Sequence, residues 1–311
     1  MRSICLIIFL LISTLQAGFA QQQRQQRPPQ VPAGVTVDLD MEYAKVGDRS
    51  LKLDLYRPKS EAPTPLVIWV HGGGWQGGSK RGAGPARVLL QHGFAVASVE
   101  YRLSGEAIFP AAIEDCKAAV SFLRNQSERF HLDPNRFGAW GSSAGGHLVA
   151  MLGTTGDVDV FETHPISQQT PSHVQAVCNW FGPSDFLRMN DFPSNIDHNS
   201  PDSPESKFIG GPIQQNRDKC REANPITYVS PQDPPFLHLH GDKDRLVAYN
   251  QSELLHAALQ KAGVATTLHK VIDGGHGFRG AAESREQIAQ RSIEFFNNQL
   301  KSNQSSQNNG D

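Results

Sequence analysis

Hydrophobic and polar positions follow two rhythms along the chain. Val35-Thr36-Val37-Asp38-Leu39-Asp40-Met41 and Leu51-Lys52-Leu53-Asp54-Leu55-Tyr56 alternate, with Lys45-Val46-Gly47-Asp48 between them. Alternation on either side of turn residues predicts an antiparallel hairpin at a sheet edge. Beyond it, residues 66–70, 94–99, 136–140, 174–180, 236–240 and 266–272 are short apolar runs, several without alternation, as strands covered on both faces require. Helical patterns lie at about 83–92, 111–130, 144–152, 250–262 and 282–300. Strand and helix alternate, which predicts an α/β fold: a mainly parallel central sheet with helices on both faces.

Two stretches interrupt the rhythm. Residues 154–173 and 183–224 are rich in Pro, Asp, Asn and Ser and fall where a parallel sheet projects loops over its carboxyl edge. They predict a small, loop-rich cap that shapes a ligand site. The ends differ again. Arg2 precedes an apolar run from Ile4 to Leu15, closing on Gly18-Phe19-Ala20. Its small-residue junction predicts a signal peptide over residues 1–20, cut after Ala20; the run is shorter than the ~20 residues of a membrane span. A secreted or periplasmic protein is therefore expected. Residues 21–33, Gln- and Pro-rich, and the polar tail 301–311 predict disordered segments, leaving 34–300 as a single domain.

Composition narrows the partners. Lys+Arg of 29 against Asp+Glu of 31, net −2, provides no basic field for nucleic acid. The 38% hydrophobic residues plus 28 glycines suit an ordinary globular core. With 4 cysteines and no C-x-x-C pair, neither a disulfide scaffold nor a zinc knuckle is expected. Removal of the leader takes Cys5 and leaves Cys116, Cys178 and Cys220, so at least one thiol stays free, and sequence does not decide whether the other two pair.

The chemistry concentrates at strand ends. Gly141-Ser142-Ser143-Ala144-Gly145 fits G-x-S-x-G at the junction between the run ending at 140 and the helix starting at 144. In so tight a turn, glycines avoid collision with neighbouring backbone, and the central Ser143 is presented at the apex. Ser142 is off-centre in the pattern. A serine hydroxyl needs a base and a group that orients the base, and in this arrangement both come later, on loops after strands. His276, ringed by glycines in Asp273-Gly274-Gly275-His276-Gly277, is the expected base; His269 and His256 fall inside a strand and a helix. Asp244 is preferred to Asp242 as the acid, because the loop must travel beyond the strand before a carboxylate turns toward the imidazole. His71-Gly72-Gly73-Gly74-Trp75 follows the first parallel strand, where an oxyanion hole draws its donors. Gly73, Gly74 and Ala144 are assigned that role, worth about 2.7–4 kcal/mol per donor. Gly72, Gly74 and Gly77 open no helix, so a nucleotide loop is disfavoured. His238 and His240 have no third metal ligand in evident reach, and no cofactor or metal is expected.

Together with Glu100-Tyr101-Arg102-Leu103, Phe109-Pro110-Ala111 and Gly146-His147-Leu148, these motifs resemble the esterase/lipase branch of the α/β-hydrolase superfamily. Within it, the chain is similar to the bacterial bifunctional feruloyl and acetyl xylan esterase-like (BD-FAE-like) group over about residues 35–300. The resemblance implies an α/β-hydrolase fold and a serine esterase in which Ser143, Asp244 and His276 match the triad and His71 to Gly74 the oxyanion motif. Ser142 departs from the hormone-sensitive-lipase-like pattern, where Asp commonly precedes the nucleophile, and favours the feruloyl/acetyl group. Trp75 and Trp180 are candidate flat faces for a sugar or aromatic acyl group, with ordinary packing as the competing role. Acylated plant polysaccharide is the substrate that the resemblance suggests. A small-molecule carboxylesterase, a lipase-like hydrolase or an inactive binding domain of the same fold remain the alternatives.

Overall fold

The alternating runs form β1 (Val35–Val46) and β2 (Arg49–Pro58), paired antiparallel about Gly47 and Asp48. The apolar runs form β3 (Thr64–Val70), β4 (Ala95–Val99), β5 (Leu132–Ser142), β6 (Ala176–Trp180), β7 (Phe236–Gly241) and β8 (Thr266–Val271). All eight make one sheet in the order β1-β2-β4-β3-β5-β6-β7-β8. The hairpin meets the rest antiparallel through β2 and β4, and every later pairing is parallel. The computed structural model describes residues 33–301. The expected leader (1–20), almost all of the Gln- and Pro-rich segment, and the tail from 302 lie outside the described residues.

Strands β3, β4, β6 and β7 are buried at every position, which is why their sequences run apolar without alternation. On one face, Leu66, Ile68 and Val70 of β3 pack with α1 (Ala111–Asn125) and α2 (Ala144–Thr154). On the other, Val67 and Trp69 pack with α6 (Arg285–Leu300) through Ile288, Ile293 and Phe296. The remaining long helix is α5 (Asn250–Lys261), whose Leu255 and Leu259 join the first face. The predicted mainly parallel α/β sheet is thus present.

Three local expectations change. Residues 83–92 do not form an α-helix: the segment Arg81–His92 is 3-10 and kinked, with positive φ at Gly82, Ala83 and Gly84 and Pro85 inside it. The helix expected to reach 130 stops at Asn125. The cap is more structured than loop-rich composition suggests. Its Ser203 hydroxyl accepts the Ser206 amide to start α3 (Pro204–Ile209), followed by α4 (Arg217–Ala223), and Phe208, Ile209, Ile213 and Cys220 sink into the core. Cys116, Cys178 and Cys220 are all buried and unpaired.

Candidate active site

β5 runs into α2 with one residue between them. Ser143 sits there at φ +56°, ψ −123°, a conformation costing on the order of 1–3 kcal/mol in a residue with a Cβ. Its surroundings hold it: the Ser143 amide donates to the Trp180 carbonyl at 2.9 Å, and its own carbonyl accepts the His147 amide at 3.0 Å. A Cβ at Gly141 would overlap the Gly145 carbonyl, and one at Gly145 the Val70 carbonyl. These two positions admit only glycine, which gives the sequence motif its physical meaning.

The loops after β7 and β8 bring two further groups to this apex. His276 Nε2 lies 3.1 Å from Ser143 Oγ, and His276 Nδ1 lies 2.8 Å from Asp244 Oδ2. The other carboxylate oxygen, Oδ1, accepts the amides of Leu246 at 2.8 Å and Val247 at 3.0 Å. Asp244 is 4% exposed. Burial alone would push its carboxyl pKa up, but the imidazoles of His240 and His276 outweigh it and hold the group well below the usual carboxylate range. Asp242, the competing acid, forms no hydrogen bond or ion pair with His276 among the described residues, and its Oδ1 has no hydrogen-bond partner. Phe181 sets its ring edge-on to His276 at 4.8 Å.

The glycine loop faces the same apex. Gly74 and Ala144 line a cavity with Ser143, and the Gly73 carbonyl accepts the amides of Gln76 and Gly77, both at 3.1 Å. The amides of Gly73, Gly74 and Ala144 donate to no backbone carbonyl among the described residues. The loop is pinned from below: Tyr101 stacks on His71 at 4.5 Å, and its hydroxyl donates to the His71 carbonyl at 3.0 Å. Burial lowers the His71 pKa, favouring a neutral ring. Arg102 holds the next turn through Asp115, donating from Nε at 2.9 Å and from its terminal nitrogen at 2.7 Å. This is the structural content of the Tyr101-Arg102 motif.

The cavity at Ser143 is small, about 50 Å3. Trp75 borders it but is 2% exposed, stacked on Phe208 at 4.7 Å and flanked by Phe186 and His147, so its ring faces serve the core. Trp180 does not reach this cavity. Its ring lies on the opposite side of the sheet, donating from Nε1 to Ser292 Oγ at 3.1 Å and lining a separate 540 Å3 cavity with Ser142 and Phe278. Because every position of β6 is buried, the sequence pattern gave no hint of which face Trp180 would take. The cavity also contains a residue that the sequence reading missed. Glu205 lines it and is 3% exposed, beside the equally buried His198 at 2.9 Å. The run Ser203-Pro204-Glu205 carries a helix-start signal, but nothing in the spacing of His198 and Glu205 announces their contact.

Among the described residues no group of three His, Cys, Asp or Glu is placed to hold a metal ion, and no helix is long and apolar enough to cross a membrane.

Several known proteins are similar to this chain. A truncated form of a carbohydrate esterase from gut microbiota is 31% identical, covering 88% of this chain and 99% of its own, with a TM-score of 0.80. A bifunctional GH43-CE protein of Bacteroides eggerthii is 33% identical over 85% of this chain and 38% of its own, with a TM-score of 0.72. Esterase LipQ of Mycobacterium tuberculosis is 28% identical over 263 residues, 83% of this chain and 61% of LipQ; the chain thus spans about three fifths of that curated relative. Residues 53–259 match the BD-FAE family. The chain has an α/β-hydrolase fold and belongs to the BD-FAE family.

Proposed function

We propose that the protein removes short acyl groups, acetyl foremost, from hydroxyl-rich saccharide chains, using Ser143, His276 and Asp244 through an acyl-enzyme. The observation that carries the reading is the position of His276, with one ring nitrogen 3.1 Å from Ser143 Oγ and the other 2.8 Å from Asp244. Nε2 takes the Ser143 proton as Oγ attacks the ester carbonyl carbon. The negative charge that forms on the carbonyl oxygen faces the amides of Gly73, Gly74 and Ala144. As the C–O bond to the alcohol breaks, His276 returns the proton to the departing oxygen. Water then enters, gives its proton to His276 and attacks the acyl carbon, which releases the acid and restores Ser143. Asp244 keeps the Nδ1 proton in place throughout, leaving Nε2 free to accept.

Cavity size supports the short acyl group. A cavity needs ~10–15 Å3 to hold one water, so about 50 Å3 suits the few heavy atoms of an acetyl group. Similarity to a carbohydrate esterase supports a saccharide alcohol, and the leader expected over residues 1–20 from the sequence supports action outside the cytoplasm. The test is a panel of acetylated xylan, methyl ferulate and p-nitrophenyl acetate, assayed with wild type and Ser143→Ala. Wild type is expected to prefer both acetyl esters to methyl ferulate. Ser143→Ala is expected to lose about 10^3-fold or more in kcat with unchanged thermal unfolding. A faster rate on methyl ferulate refutes the acyl assignment, and retained turnover in Ser143→Ala refutes the nucleophile.

A further inference from the structure

We infer that Glu205 is a specificity-determining residue, which accepts a hydrogen bond from a substrate hydroxyl beside the ester and so selects acyl groups carried on polyols. The inference rests on the esterase reading above and deepens it.

Ser194 Oγ lies 3.0 Å from the Arg245 carbonyl and 3.1 Å from His198 Nε2, and it accepts the Ile196 amide at 3.3 Å. A carbonyl only accepts, so the Ser194 hydroxyl donates to it, and His198 Nε2 must carry a proton to donate to Ser194. On the other side of the ring, His198 Nδ1 lies 2.9 Å from Glu205 Oε2. Neither His198 Nδ1 nor Glu205 Oε2 forms a hydrogen bond among the described residues, so the carboxylate keeps accepting capacity. The pair is built into the cap: the His198 carbonyl accepts the hydroxyls of Ser203 at 2.7 Å and Ser206 at 3.4 Å.

The setting gives the carboxylate its function. Apart from Glu205, Ser143 and the Trp75 indole, the cavity wall is backbone and apolar side chain, with Gly74, Ala144, Ile196, Leu246 and Val247 among its members. Recognition sites of this kind fix orientation through a few polar groups on an apolar lining. A buried carboxylate with accepting capacity left over takes a hydroxyl donor favourably and rejects a second anion. An acetylated sugar with a free neighbouring hydroxyl supplies that donor. An ester of a simple alcohol does not.

The experiment compares wild type, Glu205→Gln and Glu205→Leu on three acetyl esters: a mono-acetylated methyl xyloside with free hydroxyls, the same ester with its other hydroxyls methylated, and p-nitrophenyl acetate. Glu205→Leu is expected to lower kcat/KM on the free-hydroxyl ester about tenfold or more, mainly through KM, and to change the other two less than about threefold. Glu205→Gln keeps the shape and one acceptor, so it should fall between wild type and Glu205→Leu. Equal losses on all three esters mean that Glu205 only supports the cap, and this overturns the inference. So does an unchanged rate on the free-hydroxyl ester. Should Glu205→Leu unfold, Glu205→Gln alone decides on the same ratio between esters. Failure of wild type to cleave even p-nitrophenyl acetate would sink the esterase reading itself, a result distinct from either.

Discussion

Asp244→Asn separates the orientation of the base from its mere presence. In the native site Oδ1 of Asp244 accepts the amides of Leu246, part-buried, and Val247, buried, while Oδ2 faces His276 Nδ1. Asparagine has only one oxygen. If that oxygen serves the two amides, its NH2 group points at His276 Nδ1 and forces the ring proton onto Nε2, where it blocks acceptance from Ser143. The flipped side chain would rescue the tautomer but set the NH2 group against two N–H donors. Each buried group left unpaired costs ~1–3 kcal/mol, so the flip costs about 2–6 kcal/mol in all. At ~1.36 kcal/mol per decade, the competent tautomer is depleted by roughly 30-fold to 10^4-fold. The expected outcome is a loss of about 10^3-fold in kcat/KM on p-nitrophenyl acetate, with a matching fall in the rate of fluorophosphonate labelling of Ser143. Thermal unfolding should move little, because both amides keep an acceptor. A loss below tenfold, or one explained by unfolding, would refute the reasoning.

Two further outcomes test the support around the site. Tyr101→Phe removes the donor to the His71 carbonyl and should cost ~1–3 kcal/mol of stability by denaturant unfolding. It should lower kcat more than it changes KM, because the loop bearing Gly73 and Gly74 is released; an unchanged kcat would cut that link. His238 is fully buried with both ring nitrogens unpartnered, and burial depresses its pKa to about 3, as it does that of His147 to about 4. Unfolded histidine titrates near ~6.5, so below that pH the unfolded chain binds protons that the native state does not. Stability is then fully present above about pH 6.5 and declines as pH falls, by up to ~1.4 kcal/mol per pH unit for each histidine. His238→Phe should remove one histidine's share of the slope between pH 6 and 5 in denaturant titrations, and an unaltered slope would show that His238 is not held neutral.

The core of the sheet was legible because strands covered on both faces carry unbroken apolar runs, and the elbow because Gly141 and Gly145 have no room for a side chain. His276 and Asp244 were legible by their place after strands. Other features depend on tertiary packing that no short-range pattern records. The same burial that marks β6 as a strand hides which face its Trp180 takes. In residues 83–92 the apolar spacing suggested a helix, but Gly82, Gly84 and Pro85 bent the backbone out of it. Glu205 and His198 become a pair only when α3 folds back on the loop before it, so their seven-residue spacing carried no message.

Helix α6 has a consequence for the order in which the chain is made. Its Phe296 and Leu300 fill the space left by the missing side chain of Gly138 on β5, and Phe296 packs 5.9 Å from Trp140. During synthesis, the strand that carries the nucleophile therefore emerges long before the helix that backs it, and Trp69, Trp140 and Trp180 stay uncovered until about residue 300 is available. Such a surface invites association with other chains while it waits. A chain shortened within α6 would consequently fail at the centre of the sheet, behind Ser143, and not at its own frayed end.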